Sequence, residues 1–579
     1  MRRTFSIVSR RGRKKAVSTG AMAGPSTADL FAALRDASAP VSTDDMEAFA
    51  SGVKLDLAAG GAECRAEVED LVRASVACSD ADRAAEALIV DVRSPGEFAR
   101  GHVPGALNVP LFTDDERAKV GTAFAKQGRG VALVLGMKAV RPKLECLVHE
   151  VVRLAEAKEA EPGRASARAP LVVYVHCWRG GMRSSSLTWL LLHATPPGSL
   201  DVRVVRGGYK AFRRFVLTRW HTPASLTRAS SSSSMASSVS TNSSLFEDAG
   251  VSGDAEKDKK ESAEKRPEPR VCVVGGRTGV GKTAALLGLR AAGESVIDLE
   301  GLAAHSGSAF GWVGRPPEQP TSEHFGNLVA MQWVALTSPP TDKVSAGSNA
   351  ADDDSDKTAP RWIFVEDEGP HVGKCSVDPG LFARMRHAPL VVNVVASRAT
   401  RLRTLVEDYA NDAHRADPAW QDAMDESVGK LRKRLGNERA ELLRVKLREG
   451  DFAAVADGLL EYYDGLYDKH LGQKRVEKRE KQAARKKAER AEGAEDGKDG
   501  DDDANCSRDI SREETEARLT LEQAARAGKV VECRARAVGA NDREGRHPDS
   551  LDVDALVGDI LKTVAAFEAE EALAAERAE

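Results

Sequence analysis

Apolar residues along this chain fall into two kinds of pattern. Short, nearly unbroken runs bounded by turn residues alternate with longer segments whose apolar positions recur at helical spacing. From 41 to 221 the runs "ALIVDVRS", "PLVVYVHC" and "DVRVVRGGYKAF" read as strands, the last turning at Gly207-Gly208 into a helix. A second set begins at Val271, with "VCVVGG", "SVIDLE", "WIFVEDE" and "LVVNVVAS" as strands, and the chain from Arg398 to His470 reads mostly as helix. Further on, "KVVECRARAV" predicts one more strand, and "DVDALVGDILKTVAAF" a helix with apolar positions at Val553, Leu556, Ile560 and Val564. Strand, loop and helix in repetition predict an α/β fold with mainly parallel sheets, in two domains.

The breaks in this pattern set the boundaries. Residues 1–40 form an N-terminal extension, and 41–221 the first domain. Residues 222–269 are serine-rich and then charged, and cannot bury enough apolar surface to offset ordering entropy, so a disordered linker is expected there. Residues 270–470 are the second domain with its helical part, and a polar, acidic insertion precedes Arg361. A basic-then-acidic block at 471–525 reads as an insertion, because 526–579 returns to strand and helix.

Composition changes this picture in three ways. The chain has 579 residues, a charged fraction of 30% and a net charge of only -4, so its charges are segregated rather than scarce. Its eight cysteines are scattered without a C-x-x-C pair, which argues against a disulfide framework or a structural zinc site and for a reducing, intracellular setting. No apolar run reaches the roughly 18–20 residues of a membrane span. The first acid, Asp29, is preceded by seven Arg or Lys residues in an apolar-poor, hydroxyl-rich stretch. That is the composition of a mitochondrial or plastid transit peptide; the alternative is a basic tail on a cytoplasmic protein.

Two short motifs carry chemistry. In "VHCWRGGMRSSS" a strand ends at Cys177, and a glycine-rich loop leads into a helix. Successive backbone N–H groups and a helix start form an anion site, and Arg179 and Arg183 add positive charge. The pattern predicts a nucleophilic sulfur, stabilised as a thiolate or as an anion carried on it. In "VCVVGGRTGVGKTAALLGL" a strand, G-x-x-x-x-G-K-T and a helix follow in order. Gly276, Gly279 and Gly281 shape the loop, Lys282 neutralises phosphate, and the Thr283 hydroxyl can meet Mg²⁺; the loop takes a diphosphate or triphosphate group, and whatever is attached to it is read elsewhere. The strand "WIFVEDE" ends in Glu366, Asp367 and Glu368; Glu366 and Asp367 are the expected metal-holding acids, although the metal itself is not identified by the sequence.

The cysteine loop, with "DVRSPGEFARGHVPGALNVP" and "GGYKAF", resembles the rhodanese fold. Joined to the phosphate-loop domain, and with "VPLFTDDERAKVGTAFAKQG", "VIDLEGLAAHSGSAFG" and "YYDGLYDKH", the chain resembles the tRNA 2-selenouridine synthases. The resemblance implies a selenotransferase acting on tRNA with 2-thiouridine at the wobble position, with selenophosphate and geranyl diphosphate as donors and an S-geranylated intermediate. It gives Cys177 the role of selenium-handling nucleophile and the phosphate loop that of a prenyl-diphosphate site. Leu302, Phe310 and Trp312 are then candidates for a prenyl pocket. For RNA, the candidates are the basic runs "ASRATRLRTL" and "KLRKRLGNERAELLRVKLR" with Tyr462, Tyr463 and Tyr467. Gly369-Pro370 after "EDE" departs from the family pattern. The competing readings are a persulfide relay fused to a small-molecule kinase, and a non-catalytic binding scaffold.

Overall fold

The computed structural model describes residues 64–78, 87–161, 169–220, 269–313, 318–337, 362–471, 530–538 and 549–577, with short pieces between 43 and 53 and at His547. The segments 1–40, 222–268, 338–361 and 472–525 lie outside the described residues. Both domains are α/β, as the run-and-helix pattern predicts.

In the first domain five strands form a parallel sheet in the order β1-β5-β4-β2-β3. They are β1 (Arg65–Ala66), β2 (Ala87–Asp91), β3 (Ala106–Asn108), β4 (Leu171–His176) and β5 (Leu200–Val205). The helices are α1 (Val68–Cys78), α2 (Pro95–Arg100), α3 (Asp114–Gln127), α4 (Arg129–Val140), α5 (Leu144–Glu159), α6 (Met182–Ala194) and α7 (Gly208–Thr218). Asp91 pairs with His176 in register, and Val175 with Val204, so β2, β4 and β5 finish together. The segments that follow those strands therefore meet outside their carboxyl ends, where open α/β sheets place ligands.

The second domain repeats the scheme with the order β12-β11-β6-β8-β7, again all parallel. Its strands are β6 (Arg270–Gly276), β7 (Val296–Ile297), β8 (Trp362–Glu366), β11 (Leu390–Val395) and β12 (Val530–Arg534), with a small antiparallel pair, β9 (His371–Val372) and β10 (Cys375–Ser376). Helix α8 (Lys282–Ala291) follows β6, α9 (Leu299–Leu302) follows β7, and α10 (Ser322–Thr337) precedes β8. Next come α11 (Pro379–Arg386), α12 (Arg398–Tyr409), α13 (Pro418–Lys430), α14 (Asn437–Arg448), α15 (Phe452–Leu471) and α16 (Val553–Glu576). Strand β12 adds to the sheet edge beside β11, and α16 packs on α8 through Leu556, Val557 and Ile560.

The two domains share a core. Val205, Phe212 and Trp220 from the first cluster with Val271, Phe325, Val329, Trp333 and Ile363 from the second. Helix α10, "SEHFGNLVAMQWVALT", is apolar almost all round because it is covered on both sides. Trp220 meets Trp333 edge to face at 5.1 Å. Inside this apolar contact lies one amide. Asn327 is fully buried; its Nδ2 donates to the His102 carbonyl and to Tyr209 Oη, each at 2.9 Å, and its Oδ1 accepts from Arg213 Nη1 at 2.8 Å. Tyr209 Oη in turn donates to Glu323 Oε1 at 2.6 Å. His102 is stacked between Phe98 and His324 with both centroids 3.8 Å away, and burial with the His102 ring holds His324 down at about 4, a neutral ring at pH 7.

Asn327→Leu keeps the shape and removes all three bonds. Each stranded buried partner costs about 1–3 kcal/mol, so the variant should lose on the order of 3 kcal/mol of unfolding free energy. A chemical-denaturation midpoint that does not move would show that the amide is dispensable.

Candidate functional site

Cys177 lies one residue beyond β4 and is 3% exposed. Its Sγ accepts from the Gly181 N–H at 3.3 Å and from Ser184 Oγ at 3.4 Å, at the start of α6. The loop can curl this tightly because two glycines on facing turns come into contact. Gly180 and Gly208 have φ of 65° and 54°; a Cβ on Gly208 would lie 2.3 Å from the Cys177 carbonyl oxygen, and one on Gly180 2.3 Å from that of Val205. The Tyr209 N–H donates to the Cys177 carbonyl at 2.9 Å, and the Lys210 N–H to that of Trp178 at 2.9 Å. The "GGYK" turn is thus the back wall of the cysteine loop.

The two arginines predicted here are not equivalent. Arg183 Nη1 donates to Glu97 Oε2 at 2.8 Å, and Arg117 approaches the same carboxylate at 3.4 Å. Burial pushes Glu97 up, but the Arg183 hydrogen bond and charge prevail and hold it at about 2. Arg183 is therefore engaged in anchoring α6 to α2, whereas Arg179 is exposed at the loop tip. Beneath the loop, Asp91 and Arg93 form a buried ion pair at 2.7 Å. Arg93 also donates to the Gly101 carbonyl at 2.7 Å, and its guanidinium lies 3.9 Å from the Tyr209 ring centroid. Burial lowers the pKa of His176, the residue before Cys177, so it is neutral beside this pair. Asp91, Arg93 and His176 build the buried floor, while the hydrogen bonds to Sγ come from Gly181 and Ser184. Sequence reasoning missed Ser184, whose signal was only its place in "RSSS", and the pairing of Glu97 with Arg183.

Beside the sulfur opens a cavity of ≈ 520 Å³ between α3, α4 and α6, with Cys177 in its wall. Phe112, Phe124, Leu133, Met137 and Leu187 are among its apolar lining.

The phosphate loop follows β6. Gly276, Gly279 and Gly281 all have positive φ, at 144°, 80° and 86°. Lys282 Nζ donates to the Gly276 carbonyl at 3.1 Å, folded back over the loop, and Thr283 Oγ1 donates to Glu300 Oε2 at 3.0 Å. The three acids after β8 diverge. Glu366 is fully buried and accepts from the Leu299 N–H at 2.8 Å; burial, with Asp298 and Glu300 nearby, pushes it well up. Asp367 pairs with Arg386 at 2.8 Å. Burial and the Glu300 charge, against the opposing pull of Lys282, push Glu368 up to about 7. The acids that bear on Lys282 and Thr283 are thus Glu368 and Glu300, not Glu366 and Asp367. No cluster of three or more His, Cys, Asp or Glu side chains arranged to hold a metal occurs among the described residues.

Arg401 was expected on a basic RNA-facing surface. It is instead 5% exposed, donating to the Thr278 carbonyl of the phosphate loop at 2.8 Å and to Asp464 at 2.6 and 2.9 Å. Other basic residues of the two runs are paired too: Arg398 with Asp457, Arg439 with Glu461, and Arg444 with Asp425. Tyr462 and Tyr463 meet edge to face at 5.1 Å and pack on the helical core; the Tyr467 side chain lies outside the described residues. Leu302 packs against the interdomain core, while Phe310 and Trp312 belong to the cluster of α13–α15, so these three do not line one chamber.

Comparison with known proteins agrees with this architecture. The profile described as "tRNA 2-selenouridine synthase AAA domain" matches residues 269–346 and 349–493, and that of the rhodanese-like domain matches 77–137, stopping short of Cys177. A tRNA 2-selenouridine synthase of Pseudomonas putida is 31% identical over 405 residues, covering 66% of this chain and 86% of the relative. One of Psychromonas ingrahamii is 28% identical over 408 residues, covering 67% and 88%. One of Marinobacter nauticus is 28% identical over 413 residues, covering 67% and 89%. With a shared two-domain frame and similarity running through both halves, the chain belongs to the tRNA 2-selenouridine synthase family.

Proposed function

We propose that this tRNA-modifying enzyme replaces the sulfur of wobble 2-thiouridine by selenium through an S-geranylated intermediate, with geranyl diphosphate and selenophosphate as donors. The observation that carries the reading is the Cys177 sulfur. It is held by an amide, a hydroxyl and a helix start, in one packed body with a phosphate loop.

The chemistry divides between the domains. In the first step the base's sulfur attacks the allylic carbon of geranyl diphosphate. The C–S bond forms, the C–O bond breaks, diphosphate leaves with the electron pair, and the base loses its N3 proton. The amides shaped by Gly276, Gly279 and Gly281, with Lys282, receive the leaving diphosphate. Thr283 and Glu300 present an all-oxygen set beside the loop that fits Mg²⁺, which would neutralise diphosphate charge when bound. In the second step selenium attacks C2 and expels geranyl thiolate, which takes up a proton. Water releases the phosphate of the donor, so geranyl thiol and phosphate are the by-products. A sulfide is a poor leaving group from the free base, and alkylation makes it a neutral thioether that can depart as thiolate. Cys177 is the group that handles the selenium-bearing anion, with Arg179 at the loop tip and Arg183 fixing the helix start.

Nucleoside analysis of thiolated tRNA incubated with both donors tests this reading. Cys177→Ser should block selenium incorporation and accumulate S-geranyl-2-thiouridine, because a hydroxyl cannot replace the thiolate. Selenouridine formed at the wild-type rate by that variant would remove Cys177 from the reaction. Lys282→Ala should abolish alkylation while leaving the fold intact, since the lost charge faces the diphosphate. Geranylation at an unchanged rate would place the donor elsewhere.

A pH dependence follows from Glu368. Its carboxyl ionises near pH 7, and the negative charge it gains then opposes Lys282 and a bound anion. In Mg²⁺-free buffer, inorganic diphosphate should bind Glu368→Gln roughly ten-fold more tightly than wild type above pH 8, about 1.4 kcal/mol. The two should bind equally near pH 5.5, where Glu368 is already neutral. Calorimetric titrations at matched pH cancel the ligand's own ionisation, and an equal ratio at both pH values would exclude Glu368 from the anion's field.

A further inference from the structure

The cavity beside Cys177 has no counterpart in the chemistry of the sulfur alone. A site for a small selenium- or sulfur-bearing anion needs a ring of donors. This one adds ≈ 520 Å³ of space, within the range of about 300–1,000 Å³ usual for small-molecule pockets. Its buried members Phe112, Ala132, Leu187 and Leu190 are all apolar. Its exposed members include the cations Arg117, Arg129 and Arg179. Two large apolar side chains stand partly in solvent here, Phe124 at 44% and Trp178 at 38% exposure. A second apolar cavity among the described residues, between Phe310, Tyr409 and Met424, is ≈ 60 Å³, too small for a prenyl chain.

We propose that this cavity is the binding site for an apolar chain carried on sulfur, with the anionic remainder of the molecule at the arginine-bearing mouth and the thioether facing Cys177. Resting on the prenyl reading above, the occupant is the geranyl chain of the S-geranylated base, housed in the first domain and not beside the phosphate loop. The occupant must combine three properties that the cavity matches: a long apolar part for the α3–α4–α6 chamber, a sulfur at the wall that holds Cys177, and negative charge for Arg117, Arg129 and Arg179. Free geranyl diphosphate shares the chain but bears its charge where the phosphate loop would take it, so the two sources can be told apart.

The test measures access to Cys177. The full-length protein is treated with iodoacetamide, and alkylation of the Cys177 peptide is followed by mass spectrometry, with the exposed Cys146 as internal control. The 5′-monophosphate of S-geranyl-2-thiouridine should slow Cys177 alkylation at least ten-fold, that of S-methyl-2-thiouridine little, and neither should affect Cys146. Excess inorganic diphosphate should leave the protection unchanged. Gly121→Phe should abolish it: a Cβ there meets only Arg117 Nη1, at 3.5 Å, so the ring can enter the cavity without displacing backbone. Leu133→Gln, which makes the wall polar, should weaken it as well, and loss of protection in either variant with an unshifted melting temperature supports the site. Equal protection by the methyl and geranyl nucleotides, loss of protection with diphosphate, or full protection in both variants would overturn it. The outcome separates from that of the proposed function. Selenation without chain-dependent protection sinks the pocket alone, and chain-dependent protection in a protein that never selenates tRNA sinks the reaction alone.

Discussion

Asn327 is a polar amide in an apolar place, and it can be satisfied only when both domains are present. Its two donated bonds end on the His102 carbonyl and the Tyr209 hydroxyl, and its accepted bond comes from Arg213, all on the first domain, while it stands on a helix of the second. A buried amide left without partners is costly, whereas a purely apolar contact tolerates sliding. The surrounding Phe325, Val329 and Trp333 supply the area; the amide supplies the register. Everything that the two sites do together presupposes this fixed relation.

Tyr209 shows how closely the interface and the cysteine loop are built from the same parts. Its hydroxyl belongs to the interdomain network, its ring covers the Arg93 guanidinium, and its backbone N–H holds the Cys177 carbonyl. Arg93 is itself paired with Asp91, two residues before it at the end of β2. A buried ion pair of this kind is poor evidence for net stability, because desolvation offsets most of its attraction. Its role is geometric: it closes the floor under the loop while the neutral His176 fills the remaining space. The loop's shape is therefore set by groups that never need to touch a substrate.

Much of this was legible from local pattern. "ALIV", "LVVYV" and "VCVV" have almost no polar positions to expose and read as buried strands, and the phosphate loop announces itself because its glycines, lysine and threonine all fall in the one short run 276–283. What was not legible depends on residues far apart in the chain. Arg401 looked like part of a solvent-facing basic run; it is buried because Asp464, 63 residues on, meets it across two helices. Leu302, Phe310 and Trp312 are close in sequence, yet the chain turns between them and sends them to different cores. The apolar cavity had a weaker signal still. Apolar residues in "VGTAFAKQGRGVALVLGMKAV" are more numerous than a helix pair on a surface needs, but only the packed structure shows that part of that surplus lines empty space.

The electrostatics of the cysteine loop also differ from the picture of a sulfur flanked by two free cations. With Glu97 held near 2, its charge is present at any working pH and largely cancels that of Arg183. What remains close to Sγ is a backbone N–H, a hydroxyl and the start of α6, with Arg179 further out. Such donors stabilise an anion by orientation and lose little when the charge spreads over a large, polarisable atom. Full cations pressed against the sulfur would instead favour the smallest and hardest anion available. Under the proposed function, in which the loop accepts sulfur or selenium and then releases it, the weaker and better aimed field serves it better. The Glu97–Arg183 pair is what converts one arrangement into the other, because it uses the arginine to position the helix whose cap amide, that of Gly181, donates to the sulfur.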